Sequence, residues 1–288
     1  MKLSDALKSS ILQDALQGKL TNQHMDDISV KSLLAVLQLN EQITDEYSVP
    51  ENWAIINLGD LCDIKNGFTP KRSVEEYWNP KEVPWFTVED VKSQGHIIYS
   101  TQQMISRAAL GNSTERIVPA DTVLLCCTSA TIGNYAIAKI PLTTNQQWNG
   151  LVIKSEFSNF VLTDYLLCWV KTLKEKLIGT GKSTTFPFVS VRKLSSFKVP
   201  LPPIEEQQRI VDRVNELLAK VGEFEKIENR LTALKEKFPS DLRAAILQAA
   251  MQGELTEQLD TDSSVDDLLE DIRTHRDCLI ADGVYRPK

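Results

Sequence analysis

The most regular pattern of apolar residues in the chain follows Pro202 and Pro203. Beyond these prolines, which fit a helix only in its first turn, apolar residues recur at steps of four and three through residues 204–238. This spacing is typical of the narrow apolar seam of a coiled coil. We therefore predict a helix roughly 50 Å long that pairs with another helix, although a long helix packed on its own domain has the same pattern. The apolar residues of the seam are Ile210, Val214, Leu217, Val221, Phe224, Leu231 and Phe238, and Glu228 and Lys235 interrupt it.

The region before this helix, residues 47–203, has the pattern of a sheet. Short runs rich in β-branched and aromatic residues alternate with turn signals built on Gly, Pro and Asn. Residues 162–177 carry a helical pattern instead. We predict one mixed α/β domain, rich in strands and loops, with a helix that crosses the sheet. The predicted strands are residues 53–58, 83–87, 122–128, 134–140 and 151–154.

The two ends of the chain carry the same sequence. Residues 7–23 match residues 242–258 at most positions, and the correspondence continues into a second short helical pattern on each side. Both copies keep the run Gln-Gly-x-Leu-Thr-x-Gln in register, which two unrelated amphipathic helices would not do. In the first copy we expect a helix capped by Ser4 or Asp5 and ended by Gly18. A chain with this repeat at both ends could complete itself by pairing with a second copy.

Together the patterns predict an α+β protein in four parts. Residues 1–46 form an N-terminal helical segment, residues 47–203 form the mixed α/β domain, and residues 204–238 form the coiled-coil helix. Residues 239–288 form a C-terminal helical segment, in which residues 239–273 repeat the N-terminal one.

Composition argues against several classes of protein. The chain of 288 residues has no apolar run long enough to span a membrane, and its start lacks a signal-peptide pattern. Its five cysteines include no C-x-x-C pair, and its three histidines are scattered. We therefore expect neither a metal site nor a disulfide framework, and we expect a cytoplasmic location.

Charge is unevenly distributed along the chain. The net charge of −7 argues, by itself, against binding of nucleic acid. Residues 47–203, however, carry sixteen basic and thirteen acidic residues, whereas both flanking regions are acidic. A weakly basic domain between acidic helices permits DNA binding by that domain alone.

No pattern of catalytic residues stands out. Residues 179–184 resemble the end of a phosphate-binding loop, but Lys176 stands where that loop requires its first glycine. A predicted helix, and not a strand, precedes them. We therefore predict a protein that is not an enzyme, and a nucleotide hydrolase or nuclease is the least favoured alternative.

Polar loops of the α/β domain are candidates for contact with DNA. They combine cations, which bind phosphates, with amides and hydroxyls, which bond to base edges. Each such loop is also typical of a structural turn, and residues 144–147 in particular could equally hold a loop against the sheet. The candidate DNA-binding residues are Lys65, Asn66, Thr69, Lys71, Arg72, Thr128, Ser129, Thr131, Asn145, Gln146, Gln147, Lys182, Ser183, Thr184 and Arg192.

Several segments resemble the specificity subunit of type I restriction-modification systems. The strongest similarity is at residues 200–211, Pro-Leu-Pro-Pro-Ile-Glu-Glu-Gln-Gln-Arg-Ile-Val, where a target-recognition domain of that family passes into a conserved helix. Weaker similarities lie at residues 50–53 and 58–60, which resemble the start of such a domain, at 66–70, 131–133 and 144–147, which resemble internal motifs, and at 246–255, which resemble the end of the family's repeat.

The resemblance implies a DNA-reading subunit that performs no chemistry itself. Members of that family usually hold two target-recognition domains and two conserved helical regions around an antiparallel coiled coil, and this chain resembles one half of such a subunit. It would read a half-site in double-stranded DNA and pair with a second half-subunit, most simply a copy of itself. No cofactor is expected in this chain and no membrane partner.

The resemblance also implies protein partners. The chain would bind a methyltransferase subunit, where S-adenosylmethionine is expected, and through it a restriction subunit where one exists. The alternative is an interaction protein that does not read DNA and modulates assembly of the restriction-modification complex; DNA binding by residues 47–203 distinguishes the two. The residues expected at helical partner surfaces are Ile210, Val214, Leu217, Val221, Phe224, Leu231, Ile246 and Leu247.

Overall fold

The computed structural model describes residues 2–24, 26–111, 114–128, 131–180, 188–257, 259 and 261–284. The chain divides into two compact units, Met1–Glu225 and Lys226–Lys288. The division into four parts at residues 46, 203 and 238 stays a prediction.

The strands all lie in the first unit. They are β1 (Ala54–Asn57), β2 (Cys62–Asn66), β3 (Val83–Phe86), β4 (Ile97–Ile98), β5 (Gln103–Ile105), β6 (Thr122–Cys126), β7 (Tyr135–Ala138), β8 (Thr143–Thr144), β9 (Trp148–Ile153) and β10 (Lys198–Leu201). The α-helices of the described residues are α1 (Leu3–Ala15), α2 (Val30–Val36), α3 (Leu58–Leu61), α4 (Val88–Gln94), α5 (Thr163–Lys171), α6 (Lys174–Thr180), α7 (Val191–Ser195), α8 (Ile204–Met251) and α9 (Val265–Ala281).

The described strands of the first unit form three sheets. The largest has the strand order β2-β9-β6-β7-β4, a second has the order β5-β3-β8, and the third pairs β1 with β10. The antiparallel pairing of β1 with β10, in which Ala54 lies opposite Leu201, brings the two ends of the domain together beside the start of α8. The prediction of a mixed α/β domain with a long helix and shorter terminal helices is confirmed.

Two predicted helices differ from the observed ones. The helix predicted at residues 162–177 is interrupted, because α5 ends at Lys171 and α6 begins at Lys174. At the break, the Thr172 hydroxyl donates to the Trp169 carbonyl at 2.7 Å, a local bond that competes with continued helix. Helix α1 begins at Leu3 with no side-chain cap, so Ser4 and Asp5 lie inside its first turn and the capping prediction is wrong.

Helix α8 is longer than its sequence pattern predicts. It does not end at Phe238 but continues through Pro239 to Met251. A proline inside a helix removes one backbone hydrogen bond and crowds the preceding turn, at a cost of about 3 kcal/mol. The residues that follow, 242–251, are mostly Ala, Leu, Arg, Gln and Met, which are among the best helix formers and carry the helix past the proline.

A buried carboxylate holds the start of α8. Glu206 is completely buried, and its oxygens accept hydrogen bonds from Trp53 Nε1 at 2.8 Å, Thr21 Oγ1 at 3.0 Å and Gln23 Nε2 at 2.5 Å. Its place in the first turn of α8 also suits the positive end of the helix dipole. One side chain therefore joins the N-terminal segment, the start of β1 and the long helix.

The neighbouring residues of the same run reinforce this junction. Gln207, also fully buried, accepts a hydrogen bond from the Leu162 backbone N–H at 2.8 Å and donates to the Phe160 carbonyl at 2.8 Å. Arg209 forms an ion pair with Asp27 of the N-terminal segment. The run that most resembles the family signature is thus used to fix α8 against the domain and the N-terminal segment.

The first half of α8 packs within its own unit. Ile210 and Val214 are completely buried in the largest core cluster, and Val221 is buried as well. The prediction that these three residues face a partner helix is therefore wrong. Heptad spacing defines an apolar stripe but does not say which surface covers it, and here the chain's own domain does. Leu217 is half-buried, and Phe224 and Leu231 are exposed.

The second unit contains the rest of α8 and α9, and its apolar side chains are largely exposed. Isolated helices of this kind gain most of their stability from packing of an apolar face, so the face is one that a partner could cover. None of the described helices is long and apolar enough to cross a membrane. The exposed apolar residues of this unit include Ile227, Leu231, Leu234, Phe238, Leu242, Ile246, Leu247, Met251, Leu268, Leu269 and Ile272.

We expect Glu206→Ala to lower the free energy of unfolding of the first unit by about 3 kcal/mol, because it leaves the buried Trp53 N–H without an acceptor. The matched control is Glu205→Ala, which removes the exposed neighbouring carboxylate and should change stability by at most about 0.5 kcal/mol. Urea denaturation followed by tryptophan fluorescence measures both. Equal effects of the two substitutions would contradict the assigned role of Glu206.

Candidate nucleic-acid interface

The loop after β2 carries the first group of predicted DNA contacts. Strand β2 pairs with β9, so that Asn66 lies opposite Asn149, and the Asn66 amide donates to the Asn149 amide oxygen at 3.0 Å. The chain then turns away from the sheet, and the Phe68 N–H donates to the Thr144 carbonyl at 2.9 Å. Lys65 is half-buried on β2, whereas Asn66 is exposed at its end.

Gly67 allows this loop to lie directly on the turn between β8 and β9. A Cβ atom at this position would stand 2.1 Å from both the Asn145 carbonyl oxygen and the Thr144 hydroxyl. These distances exclude any larger residue without movement of the backbone. Two loops that are remote in sequence, residues 65–72 and 144–147, are therefore in contact.

Within residues 144–147 the predicted contacts divide into structural and exposed groups. Thr144 is buried and donates to the Trp148 carbonyl, and the side-chain oxygen of Asn145 accepts from the Gln147 N–H at 3.0 Å. Gln146 is exposed and is hydrogen-bonded to Thr69 of the other loop. The sequence leaves open whether these residues contact DNA or hold the loop against the sheet. Thr144 and the side-chain oxygen of Asn145 hold the loop, whereas Gln146 faces solvent.

Arg72 is held by aromatic rings. Its guanidinium lies 3.7 Å from the centroid of the Trp78 ring and 5.3 Å from that of Trp85, and it donates to the Gln103 side-chain oxygen at 2.7 Å. Stacking on indole rings is a favourable cation–π contact that fixes the plane of the guanidinium. Lys71, next to it, is exposed.

The same rings also anchor the loop backbone. Trp78 Nε1 donates to the Lys71 carbonyl at 3.1 Å, and Trp85 Nε1 donates to the Phe68 carbonyl at 2.9 Å. The two indoles meet edge to face with centroids 5.4 Å apart. Two indole N–H groups therefore fix the backbone of the loop that carries Arg72.

Arg116 is a candidate contact that the sequence pattern does not reveal. Its guanidinium lies 4.4 Å from the centroid of the Phe68 ring, and it lines a cleft beside Lys65 and Asn66. Asp63 and Glu115 line the same cleft, which therefore carries both signs of charge. Trp78, Gln103 and Arg116 join the predicted residues only through the folded chain. The local signals in the sequence are Trp78, which precedes the predicted strand at 83–87, and Trp85, which lies within it.

The Thr128–Thr131 loop lies next to the turn that holds Gln147. The Cys127 N–H donates to the Gln147 carbonyl at 3.1 Å, and Thr128 forms an isolated antiparallel bridge with Phe188. Thr128 and Thr131 are half-buried. A third predicted loop is thereby brought to the same side of the β6–β9 pair as residues 144–147.

The remaining predicted contacts lie outside the described residues or on another element. Ser129, Lys182, Ser183 and Thr184 lie outside the described residues. Arg192 is exposed on α7, which packs against α3 and β2. The cluster of described loops, which we call the recognition loops, comprises residues 65–72, 128–131 without Ser129 and Ala130, and 144–147, together with Trp78, Gln103 and Arg116.

The side chains of these loops are suited to binding. Burial raises the pKa of the Cys62 and Cys127 thiols to about 12, so both thiols stay protonated near neutral pH and are poor nucleophiles. Among the described residues, no three His, Cys, Asp or Glu side chains form a group that could hold a metal ion. Exposed amides, hydroxyls and guanidinium groups suit recognition of phosphates and base edges.

Comparison with known proteins places the chain in a family. Residues 50–233 match the family described as type I restriction modification DNA specificity domain. The matched segment begins before β1 and ends within α8, and thus includes the three sheets of the described strands, the recognition loops, and Trp53 and Glu206 of the junction. The chain belongs to this family.

Individual relatives agree with the family match. The chain is 34% identical over 170 residues to the type I restriction enzyme MjaIX specificity subunit of Methanocaldococcus jannaschii, a match that covers 58% of this chain and 38% of the relative. It is 26% identical over 167 residues to the EcoprrI specificity subunit of Escherichia coli, covering 58% and 41%. The chain therefore matches only about two fifths of the length of these relatives.

A solved structure supports the fold. The crystal structure of the HsdS subunit from Thermoanaerobacter tengcongensis superposes with a TM-score of 0.51 at 20% identity, covering 88% of this chain and 53% of that one. At this level of identity the likeness concerns the fold. It agrees with the relatives in that this chain corresponds to about half of a larger molecule.

We expect Gly67→Ala to destabilise the first unit by about 1–3 kcal/mol, because the added methyl group overlaps the backbone of the β8–β9 turn. The matched control is Gly222→Ala in α8, where an added Cβ meets no atom within 4 Å; it should stabilise the chain by about 0.5–1 kcal/mol, since alanine is the better helix former. Chemical denaturation of the two variants checks this contrast. Destabilisation by both or by neither would contradict the close approach of the two loops.

Proposed function

We propose that the chain is the DNA sequence-recognition subunit of a type I restriction-modification complex. The observation that carries the proposal is the family match at residues 50–233, because it spans residues 50–203 of the predicted α/β domain and continues into α8. In this role the chain reads one half-site in double-stranded DNA through its recognition loops. It performs no chemistry itself.

Direct reading of bases would fall to the recognition loops. Arg72, fixed on Trp78 and oriented by Gln103, presents guanidinium N–H groups suited to guanine or phosphate, and Gln146 presents an amide suited to adenine. Lys71 supplies a flexible charge for a phosphate. The weakly basic balance of residues 47–203 supports the same assignment, since the acidic flanks carry the negative net charge.

The chain would act together with other subunits. The repeat carried at residues 7–23 and 242–258 supports pairing with a second copy. The exposed apolar faces of α8 and α9 in the second unit suit such pairing and the binding of a methyltransferase subunit. That subunit would supply S-adenosylmethionine and modify adenine, and a restriction subunit would join through it.

We expect co-expression of this chain with its methyltransferase subunit, in a host that lacks adenine methylation, to produce methylated adenines in a gapped palindrome. Two identical copies related by a two-fold axis read identical half-sites in opposite directions. Mapping of modified bases across the genome measures this, with each subunit expressed alone as the control. A gapped asymmetric motif would contradict pairing of identical copies. A stable complex without methylation would favour the alternative role as an assembly modulator.

We expect Arg72→Ala to weaken binding to a duplex carrying the mapped motif by at least about tenfold, because it removes a preorganised contact to base or phosphate. The matched control is Lys139→Ala. Lys139 is an exposed cation that follows the end of β7, whereas the Thr128–Thr131 loop precedes the start of β7. Titration at several salt concentrations shows whether the lost contact is to a phosphate, because loss of a phosphate contact flattens the salt dependence of the affinity. Unchanged affinity and unchanged salt dependence of Arg72→Ala would contradict its assignment.

A further inference from the structure

The N-terminal copy of the terminal repeat packs against the rest of the first unit through a defined set of contacts. We call residues 7–34 the N-terminal repeat and residues 242–269 the C-terminal repeat. The N-terminal repeat is held by a fixed set of groups, which we call the seat: the backbone of Asn52 and the side chains of Trp53, Glu206, Arg209 and Glu225.

The contacts between the N-terminal repeat and the seat are polar and specific. Glu206 accepts from Thr21 and Gln23, and it is held in turn by Trp53; Arg209 pairs with Asp27. At one end Lys8 forms an ion pair with Glu225 at 2.6 Å, and at the other the Val30 N–H donates to the Asn52 carbonyl at 3.1 Å. Leu12, Ala15, Leu16, Val30 and Leu34 of the repeat are buried.

The C-terminal repeat retains every residue type that the seat binds. Thr256, Gln258 and Asp262 correspond to Thr21, Gln23 and Asp27, which contact Glu206 and Arg209. Arg243 corresponds to Lys8 and keeps its positive charge. The five buried residues correspond to Leu247, Ala250, Met251, Val265 and Leu269, of which four are identical and one is a change from Leu to Met.

Most positions that the seat does not contact have changed. Exposed Ser9, Lys19, Asn22, His24 and Lys31 of the N-terminal repeat correspond to Ala244, Glu254, Glu257, Leu259 and Asp266. Identity between the two repeats is therefore concentrated on the surface that binds the seat. An ordinary amphipathic helix would have to keep only its apolar stripe. The threonine, glutamine and aspartate are kept as well, and in the N-terminal repeat these residues bind Glu206 and Arg209.

The described residues of the C-terminal repeat are largely exposed. Leu247, Met251, Val265 and Leu269, the counterparts of buried residues, are all exposed. The sequence of this repeat retains the binding groups, and the described counterparts of the buried residues are exposed. The seat in the first unit has the complementary surface, because it binds the N-terminal repeat through the same residue types group by group.

We propose that the C-terminal repeat of one chain binds the seat of a second copy, in place of that copy's own N-terminal repeat. This inference rests on the pairing of two copies proposed above. Residues 206–238 are helical throughout, a length of roughly 50 Å. The C-terminal repeat therefore cannot reach the seat of its own chain, with or without a break of α8 at Pro239, and the reachable seat belongs to another chain. Once two copies have paired, the repeat is tethered to the second seat and competes with the resident repeat at a high effective concentration.

Pro239 is suited to such an exchange. It corresponds to Ser4 in the first turn of α1, and a proline is tolerated in the first turn of a helix but costs stability inside one. A break of α8 at this proline would therefore release the C-terminal repeat as a separate helix of the same extent as α1.

A disulfide between two chains tests the exchange. One copy carries Asn52→Cys, the other carries Ser264→Cys, and both carry Cys278→Ser, since Cys278 is an exposed thiol and the other four are buried. Ser264 corresponds to Ser29, whose hydroxyl donates to the Asn52 carbonyl at 3.4 Å. The positive control for this geometry is a single chain with Ser29→Cys and Asn52→Cys. We expect the mixed copies to form a disulfide-linked dimer under mild oxidation.

Equivalent substitutions in the two repeats should have opposite effects. Thr21→Val with Gln23→Leu, placed on the Asn52→Cys copy, weakens the resident repeat and should raise the linked fraction about tenfold or to saturation. Thr256→Val with Gln258→Leu, placed on the Ser264→Cys copy, should lower the linked fraction by a similar factor. The second pair lies outside the core of the first unit, so its effect does not depend on the stability of the recognition domain.

Sedimentation of the same samples separates the exchange from the pairing. Dimers that form no disulfide between the Asn52→Cys copy and the Ser264→Cys copy, while the Ser29→Cys control closes, would overturn the exchange and leave the pairing intact. Monomers without a disulfide would overturn both. A disulfide that forms only when one chain carries both substitutions would overturn the assignment to a second copy.

Discussion

The first unit depends on one buried negative charge. A carboxylate removed from water is stable only when hydrogen-bond donors replace the water it has lost. Glu206 receives such donors from Trp53, Thr21 and Gln23, which belong to two segments far from it in sequence. Because these three donors are needed together, the N-terminal segment, the first strand and α8 must assemble as one piece. The position of the recognition domain on its helix follows from this requirement.

The recognition loops depend on a second constraint, the register of β2 on β9. That register places the loop after Asn66 on the β8–β9 turn, and Gly67 allows a contact that a side chain would block. The loop is then held by indole N–H groups on its backbone, so that Arg72 and Lys71 reach solvent from a fixed support. Exposed cations and amides on a rigid frame can vary without disturbing the core beneath them, which suits a surface that selects DNA sequences.

The sequence predicts the fold class, the strands β1, β3, β6, β7 and β9, the repeat and the position of the long helix, because these follow from local patterns. It misses β2, β4, β5, β8 and β10, three of which are only two or three residues long. It does not predict which surface covers the helix, since Ile210 and Val214 have the same spacing in a coiled coil and in a domain core. It also fails at Phe238, where a proline normally ends a helix and here does not. Arg116 and Gln103 are not predicted because their partners, Phe68 and Arg72, are brought to them only by the folded sheets.

The distribution of polar residues in the two repeats connects the folding of the chain with its assembly. A purely apolar repeat could slide along its groove, since dispersion contacts have little preference for one register over another. A threonine, a glutamine and an aspartate that must meet one glutamate and one arginine define a single register, as buried polar groups do in coiled coils. Both repeats carry these three residues at the same spacing. In the proposed exchange, the junction that fixes α8 within one chain is therefore also the surface that binds another copy in a defined register.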